Sequence, residues 1–222
     1  ISEIIEETHN TKTFRINLEG NEFNFEPSQF INLTIEIEGK PITRQYSIAS
    51  SPLKKEYIDL TVKKNSNGLM SIHLIDKIKV GNAVNVKGPY GLFIYNDEVK
   101  KAVFLAGGSG VSSLMSMIRY IIDKKLDTKM TLIFSNRTSK DIIFKDELEN
   151  LKNNHNLNLI NTITREDSWQ GEKGRINPEM IKKYCDLDSM FYICGLPKMV
   201  DGVRRELESL GVDKSKIKFE KY

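Results

Sequence analysis

Between Ile1 and about Tyr95 the apolar residues come in short runs, several of which alternate with polar ones. Thr13–Leu18, Phe30–Ile37, Tyr46–Ala49, Tyr57–Val62 and Ala83–Val86 read as strands, and alternation puts every second side chain on one face, as in half-buried antiparallel pairs. Between them stand Glu19-Gly20-Asn21, Gly39-Lys40-Pro41, Ser50-Ser51-Pro52, Asn65-Ser66-Asn67-Gly68 and Gly88-Pro89-Tyr90-Gly91, all of turn composition. Short strands at this spacing predict an all-β barrel or sandwich. One stretch departs from it. Leu69, Ile72, Leu74, Ile75 and Ile78 recur at helical spacing and predict a single short helix, with Ser66 or Asn67 as its cap.

After Asn96-Asp97-Glu98 the pattern changes. Ala102–Ala106, Met130–Phe134, Leu157–Ile160 and Met190–Cys194 are apolar-rich runs of the kind buried in a parallel sheet. Ser113–Lys125, Lys145–Asn153, Pro178–Tyr184 and Lys198–Leu210 lie between or after them with helical periodicity, and Pro178 stands where a first-turn proline belongs. The expected plan is an N-terminal antiparallel β-barrel domain with one short helix, residues 1–96, and a C-terminal α/β domain with a parallel sheet, residues 97–222.

Composition narrows the function classes. Of 222 residues, 39% are hydrophobic and 28% charged, the balance of a folded globular chain. The net charge of +3 is spread along the chain, so the basic patch of a nucleic-acid binder is missing. No apolar run approaches the length of a membrane helix and no leader pattern opens the chain, which predicts a soluble, cytoplasmic protein without membrane insertion. The first residue is Ile1, not Met, so the start of the gene product is expected to be trimmed or to lie elsewhere. Two cysteines, Cys185 and Cys194, are too few for an iron-sulfur or zinc site. His9, His73 and His155 lack ligand spacing, and no metal site is expected. Redox chemistry, if present, belongs to an organic cofactor or a partner.

One turn carries chemistry. Strand Ala102–Ala106 runs into Gly107-Gly108-Ser109-Gly110-Val111-Ser112-Ser113 and then a helix. Glycines let backbone approach a pyrophosphate, and a helix start offers N–H groups and partial positive charge. Gly108, Gly110 and Ser113 fall on the G-x-G-x-x-small spacing. A tight strand-to-helix turn without a ligand uses the same glycines.

Six motifs in order complete the picture: Arg44-Gln45-Tyr46-Ser47, Gly68-Leu69-Met70-Ser71, Gly88-Pro89-Tyr90-Gly91, Gly107-Gly108-Ser109-Gly110, Cys194-Gly195-Leu196-Pro197-Lys198-Met199 and Glu220-Lys221-Tyr222. Covering nearly the whole chain, they resemble the signatures of the ferredoxin-NADP reductase superfamily. The resemblance implies an FAD barrel and a nicotinamide-binding domain. It directs Arg44 at the FAD pyrophosphate, Tyr46 at the flavin or ribityl, and Ser47 at flavin N5, with Gln45 between them. Thr61, Val62 and Lys63 would run alongside the cofactor, and Gly68, Leu69, Met70 and Ser71 would meet its phosphates. Gly108, Ser109, Gly110 and Val111 would hold the nicotinamide dinucleotide.

Cys194 and Gly195 would lie near nicotinamide C4, and Glu220 and Tyr222 match the family's acidic and aromatic pair. Ser47, Cys194, Glu220 and Tyr222 are thus the expected catalytic residues. Asn136 and Arg137 follow the second strand without the acidic residue of an NAD ribose site, and Thr164-Arg165 matches a pair directed at a 2′-phosphate. The expected co-substrate is NADPH, with NADH as the alternative. The expected activity is hydride transfer from NAD(P)H to FAD, then single electrons to a ferredoxin- or flavodoxin-type protein or an oxygenase component. The alternatives are a reductase of free flavin and a non-catalytic electron-transfer subunit.

Two departures from the family stand out. Its P-G-Q-F is Pro27-Ser28-Gln29-Phe30 here, which asks a turn to do without glycine, and its Ala-Pro after the glycine turn is Ser112-Ser113. Neither is expected to touch the electron path.

Overall fold

A computed structural model describes residues 1–222. The chain separates into two compact units, residues 1–95 with 115–124, and residues 96–114 with 125–222.

The first unit is built on two three-stranded antiparallel sheets. One is ordered β1 (Glu3–Thr8), β2 (Thr11–Asn17), β5 (Tyr57–Lys63), and the other β4 (Lys40–Ser47), β3 (Phe30–Ile37), β6 (Asn85–Tyr90). An Ile48–Leu60 bridge follows β4, giving a barrel-like pair. The alternation of β3 is realised, with Ile31, Leu33, Ile35 and Ile37 all buried. They pack with Phe14, Ile48, Ile58 and Leu60 into one core. Gly88-Pro89, expected in a turn, lies inside β6, where the register with β3 shifts between Phe30 and Asn32. Helix α1 (Leu69–Lys77) forms as the periodicity requires. Its cap is Gly68 and not Ser66 or Asn67. Ser71 replaces a side-chain cap by accepting the Asn65 N–H at 3.0 Å and donating to the Gly68 carbonyl at 3.0 Å.

The second unit holds a six-stranded sheet in which every pairing is parallel. Its order is β10 (Glu172–Lys173), β9 (Leu157–Ile163), β8 (Lys129–Asn136), β7 (Lys101–Gly107), β11 (Met190–Gly195), β12 (Ile217–Lys221). Helices α2 (Val111–Asp123), α3 (Lys145–Asn154), α4 (Pro178–Tyr184) and α5 (Pro197–Ser209) connect or follow these strands. Asn177 caps α4 by accepting the Met180 N–H, and Pro178 fills the first turn. Ile133, Ile160, Phe191 and Ile193 bury one sheet face with Val200, Val203 and Leu207 of α5. No helix is long and apolar enough to cross a membrane.

From β7 the chain moves out to β8 and β9, then returns to add β11 on the other side. Such a reversal opens a crevice at the carboxyl ends of the two middle strands, the place where open α/β sheets take ligands.

Ser28 does stand where the chain needs left-handed backbone, at φ 79°. It is 1% exposed, its N–H donates to Ser116 Oγ at 3.1 Å, and its own hydroxyl has no partner. A side chain at positive φ and an unpaired buried hydroxyl both oppose folding. Ser28→Gly removes both and leaves the N–H bond in place. It is expected to stabilise the protein by about 1 kcal/mol in chemical denaturation; an unchanged or lowered midpoint would show that the turn is not strained.

Candidate functional site

The glycine turn occupies the reversal point. β7 ends at Gly107, Gly108–Gly110 make one turn of 3-10 helix, and α2 starts at Val111. Gly108 has φ 55°, and a Cβ there would point into open space. Gly110 is needed for a different reason. A Cβ on it would lie 2.4 Å from the Cys194 carbonyl oxygen and 2.8 Å from the Gly195 nitrogen, so the turn and the end of β11 touch backbone to backbone. Met199 of α5 fills the space beside Gly107 and Gly195, with its sulfur 3.4 and 3.1 Å from their hypothetical Cβ positions. The result is a glycine shelf at a helix start that is open at Gly108, the kind of backbone approach a pyrophosphate requires.

Beside the shelf the structure gathers three residues distant in sequence. Cys194 is fully buried, and its Sγ lies 3.6 Å from Ser113 Oγ on α2. Ser113 Oγ donates to Glu220 Oε2 of β12 at 3.3 Å. Burial and the Glu220 carboxyl push the Cys194 thiol up to about 12. Burial also raises the Glu220 carboxyl above its ordinary range, with the Ser113 bond working against it. Tyr222 donates its hydroxyl to the Gly107 carbonyl at 3.0 Å and accepts from Ser109 Oγ at 3.1 Å. Its hydroxyl end is enclosed, which pushes the phenol up to about 12, although 52% of the residue is exposed. Cys194, Glu220, Tyr222, Ser109 and Gly195 thus form one cluster with the turn. Ser113, which stands where the family has proline, is bonded to two of the residues expected to be catalytic. Its hydroxyl stands between the thiol and the carboxyl. The only signal in sequence was a serine where a proline was expected.

The two separate segments expected at the adenosine end also meet. Thr164 donates its N–H and its hydroxyl to the Asn136 carbonyl at 3.0 and 3.2 Å, and the Arg165 N–H donates to the Arg137 carbonyl at 2.8 Å. Both arginines are exposed and neither is paired with a carboxylate. Glu166 is turned away, accepting the Ser139 N–H at 2.7 Å and its hydroxyl at 3.1 Å, bonds that hold its carboxyl below the usual range. The Asn136 side chain is buried with both amide atoms unpartnered.

In the first unit, Arg44, Gln45, Tyr46 and Ser47 close β4. Arg44 is exposed, bonded only to the Thr43 carbonyl at 2.7 Å. Tyr46 is half-buried against the barrel core. Burial pushes its phenol up to about 12, and the nearby Arg44 charge partly offsets this. Ser47 is half-buried, and its hydroxyl makes no hydrogen bond within the chain. Thr61 and Val62 are buried in β5, where Thr61 Oγ1 lies 2.8 Å from Thr13 Oγ1, and Lys63 is half-buried at its end. Leu69 is exposed, Met70 buried, and the Ser71 hydroxyl is committed to the Asn65–Gly68 turn. A guanidinium without a carboxylate, a half-open aromatic ring and a hydroxyl with no partner in the chain, all at one strand end, are a donor set that fits an anionic, flat cofactor such as FAD.

Fold and site together define a two-domain nucleotide-binding protein, with a barrel-like unit and an α/β unit. Comparison with known proteins names the class. The model of the oxidoreductase FAD-binding domain matches residues 1–95, and that of the oxidoreductase NAD-binding domain matches residues 104–205. The chain is 33% identical over 221 residues to the glycine betaine monooxygenase reductase subunit of Pseudomonas aeruginosa, covering 96% of this chain and 60% of that protein. It is 32% identical over 219 residues to NADH-cytochrome b5 reductase 1 of Lodderomyces elongisporus, covering 94% and 73%. Its fold matches the FAD/NAD-binding domain of nitric oxide dioxygenase from Vibrio cholerae with a TM-score of 0.93 at 22% identity, over 100% and 96% of the two chains. The chain belongs to the ferredoxin-NADP reductase superfamily, with an FAD-binding domain followed by an NAD-binding domain.

The glycine shelf yields a paired prediction. Gly110→Ala drives a methyl into backbone and is expected to cost about 3 kcal/mol. Gly108→Ala meets only the positive-φ penalty of about 1 kcal/mol. Equal losses in thermal or denaturant unfolding would show that the turn and β11 are not in backbone contact.

Proposed function

We propose that the protein is an FAD-dependent NAD(P)H oxidoreductase that passes electrons from a reduced nicotinamide to a separate acceptor protein, of ferredoxin or flavodoxin type or an oxygenase component. The observation that carries this reading is the open glycine shelf at the sheet's reversal point, with Cys194 and Gly195 on the strand beside it. FAD, when bound, takes two electrons as hydride and releases them one at a time. The chain's part is to bind, orient and keep water out.

In this reading residues 1–96 hold FAD. Arg44 takes the pyrophosphate in its fork, with Gln45 beside it, Tyr46 offers a flat face, and Ser47 supplies its unsatisfied hydroxyl to the flavin. Thr61, Val62 and Lys63 line the cofactor. Because the Ser71 hydroxyl is already committed, the contribution of Gly68–Ser71 comes from backbone N–H groups at the start of α1.

Residues 97–222 hold the nicotinamide dinucleotide. Gly108, Ser109, Gly110 and Val111 form its phosphate shelf, Asn136, Arg137, Thr164 and Arg165 meet the adenosine end, and Cys194, Gly195, Glu220 and Tyr222 meet the nicotinamide end. Two unpaired guanidiniums joined through their backbones favour a 2′-phosphate and so NADPH. The NADH in the name of the cytochrome b5 reductase relative argues the other way. A cytoplasmic setting is part of the same reading.

The test is an anaerobic visible spectrum of the purified protein, with NADPH and NADH added in separate cuvettes. A flavin band bleached faster by NADPH is expected. Protein that stays colourless when FAD is offered overturns the reading, and flavin lost on gel filtration marks a reductase of free flavin instead. Retained flavin that neither nicotinamide reduces marks a non-catalytic subunit.

Arg165→Ala is expected to raise the KM for NADPH about tenfold to a hundredfold, the worth of a charge-assisted bond, and to leave the KM for NADH within twofold. Equal effects on both would remove Arg165 from 2′-phosphate recognition.

A further inference from the structure

Cys194, Ser113 and Glu220 make a single line of hydrogen bonds, from Sγ to Oγ at 3.6 Å and from Oγ to Oε2 at 3.3 Å. A serine hydroxyl has one proton to give and two lone pairs to receive with. Because Ser113 gives its proton to the Glu220 carboxyl, toward the thiol it can only accept. The line then has one sense, thiol to hydroxyl to carboxylate. Ser113 is 1% exposed and Cys194 is fully buried, so solvent has little access to replace either bond. A proline at 113, the residue the family resemblance leads one to expect, has no hydroxyl and could make neither.

The setting gives this line a use. Cys194 is the last residue but one of β11, its carbonyl is pressed against Gly110, and its backbone is thereby fixed. The side chain retains one free torsion, and the Ser113 bond sets it. Glu220 sits on the neighbouring strand in register with Cys194, so its carboxyl is anchored from the same hydroxyl. Lys221, the next residue of β12, is taken up by Asp201 of α5 at 2.7 Å and does not compete for Glu220.

We propose that Ser113 is a positioning residue for the nicotinamide end of the site: it holds the Cys194 side chain in one rotamer and ties the Glu220 carboxyl to it. What is positioned rests on the function proposed above, whereas the hydrogen-bonded line does not. Ser113 touches no reacting atom in this scheme. It acts through the thiol and the carboxyl.

The test uses the full chain carrying Cys185→Ala, which leaves Cys194 as the only thiol. The S–H stretching band, which lies in an infrared window clear of other protein absorption, reports the thiol's hydrogen bond without any cofactor chemistry. Ser113→Ala is expected to move this band to higher frequency and Ser113→Thr to restore it. In flavin-loaded protein, Ser113→Ala is expected to slow flavin reduction at saturating nicotinamide about fivefold, with the nicotinamide Kd within twofold and the rate recovered by Ser113→Thr. A band that does not move in folded Ser113→Ala overturns the proposal by itself. So does a shifted band with an unchanged rate constant, because the bond would then exist without positioning anything. If the parent protein is not reduced by either nicotinamide, the functional reading fails and Ser113's role falls with it, while the band still reports the bond.

Discussion

The contact on which the α/β unit depends is one of backbone on backbone. Gly110 lies so close to the Cys194 carbonyl that no side chain fits between them. This approach lets α2 begin directly over the end of β11. It therefore brings Ser113, three residues into the helix, within reach of Cys194, and through Cys194 within reach of Glu220 on the next strand. Met199 closes the remaining space from the α5 side against Gly107 and Gly195. The shelf, the buried thiol and the carboxyl are three results of one steric fact.

The first unit obeys another logic. Its donors are not clustered by burial but left unsatisfied on the surface of a well-filled barrel. Arg44 has no carboxylate and the half-buried Ser47 hydroxyl no partner within the chain, whereas Arg15 of β2 holds Asp59 at 2.9 and 3.1 Å and lies 4.0 Å from the Tyr57 ring.

How much of this was legible in the sequence depended on how local each feature is. The Phe30–Ile37 strand and the Pro178–Tyr184 helix were found at their observed limits, because strict alternation and an Asn-Pro helix start are signals carried within a few residues. Strand β1 was missed because Glu3–Thr8 buries none of its side chains fully and so has no one-sided pattern. The start of β4 was missed because Lys40-Pro41 has turn composition and lies mostly exposed. The last strand shows in the sequence only as a terminal motif. Ile217–Lys221 does alternate, but its strand character comes from pairing with β11, and five residues alone do not announce a parallel partner. At the site, each motif could be read singly. That Ser113 joins Cys194 to Glu220 across separations of 81 and 107 residues could not, since no spacing rule reaches that far.

The position of β12 in the sheet has one further consequence. It is an edge strand, bonded on one flank by β11, while β11 is bonded on both by β12 and β7. Hydrogen-bonded edges fray at lower free energy than central strands. The thiol of the site is therefore mounted on the interior of the sheet, the carboxyl on one of its edge strands, and the phenol just past the end of that strand. One half of the cluster is a fixed reference, and the other can adjust to what binds against it at little cost to the core.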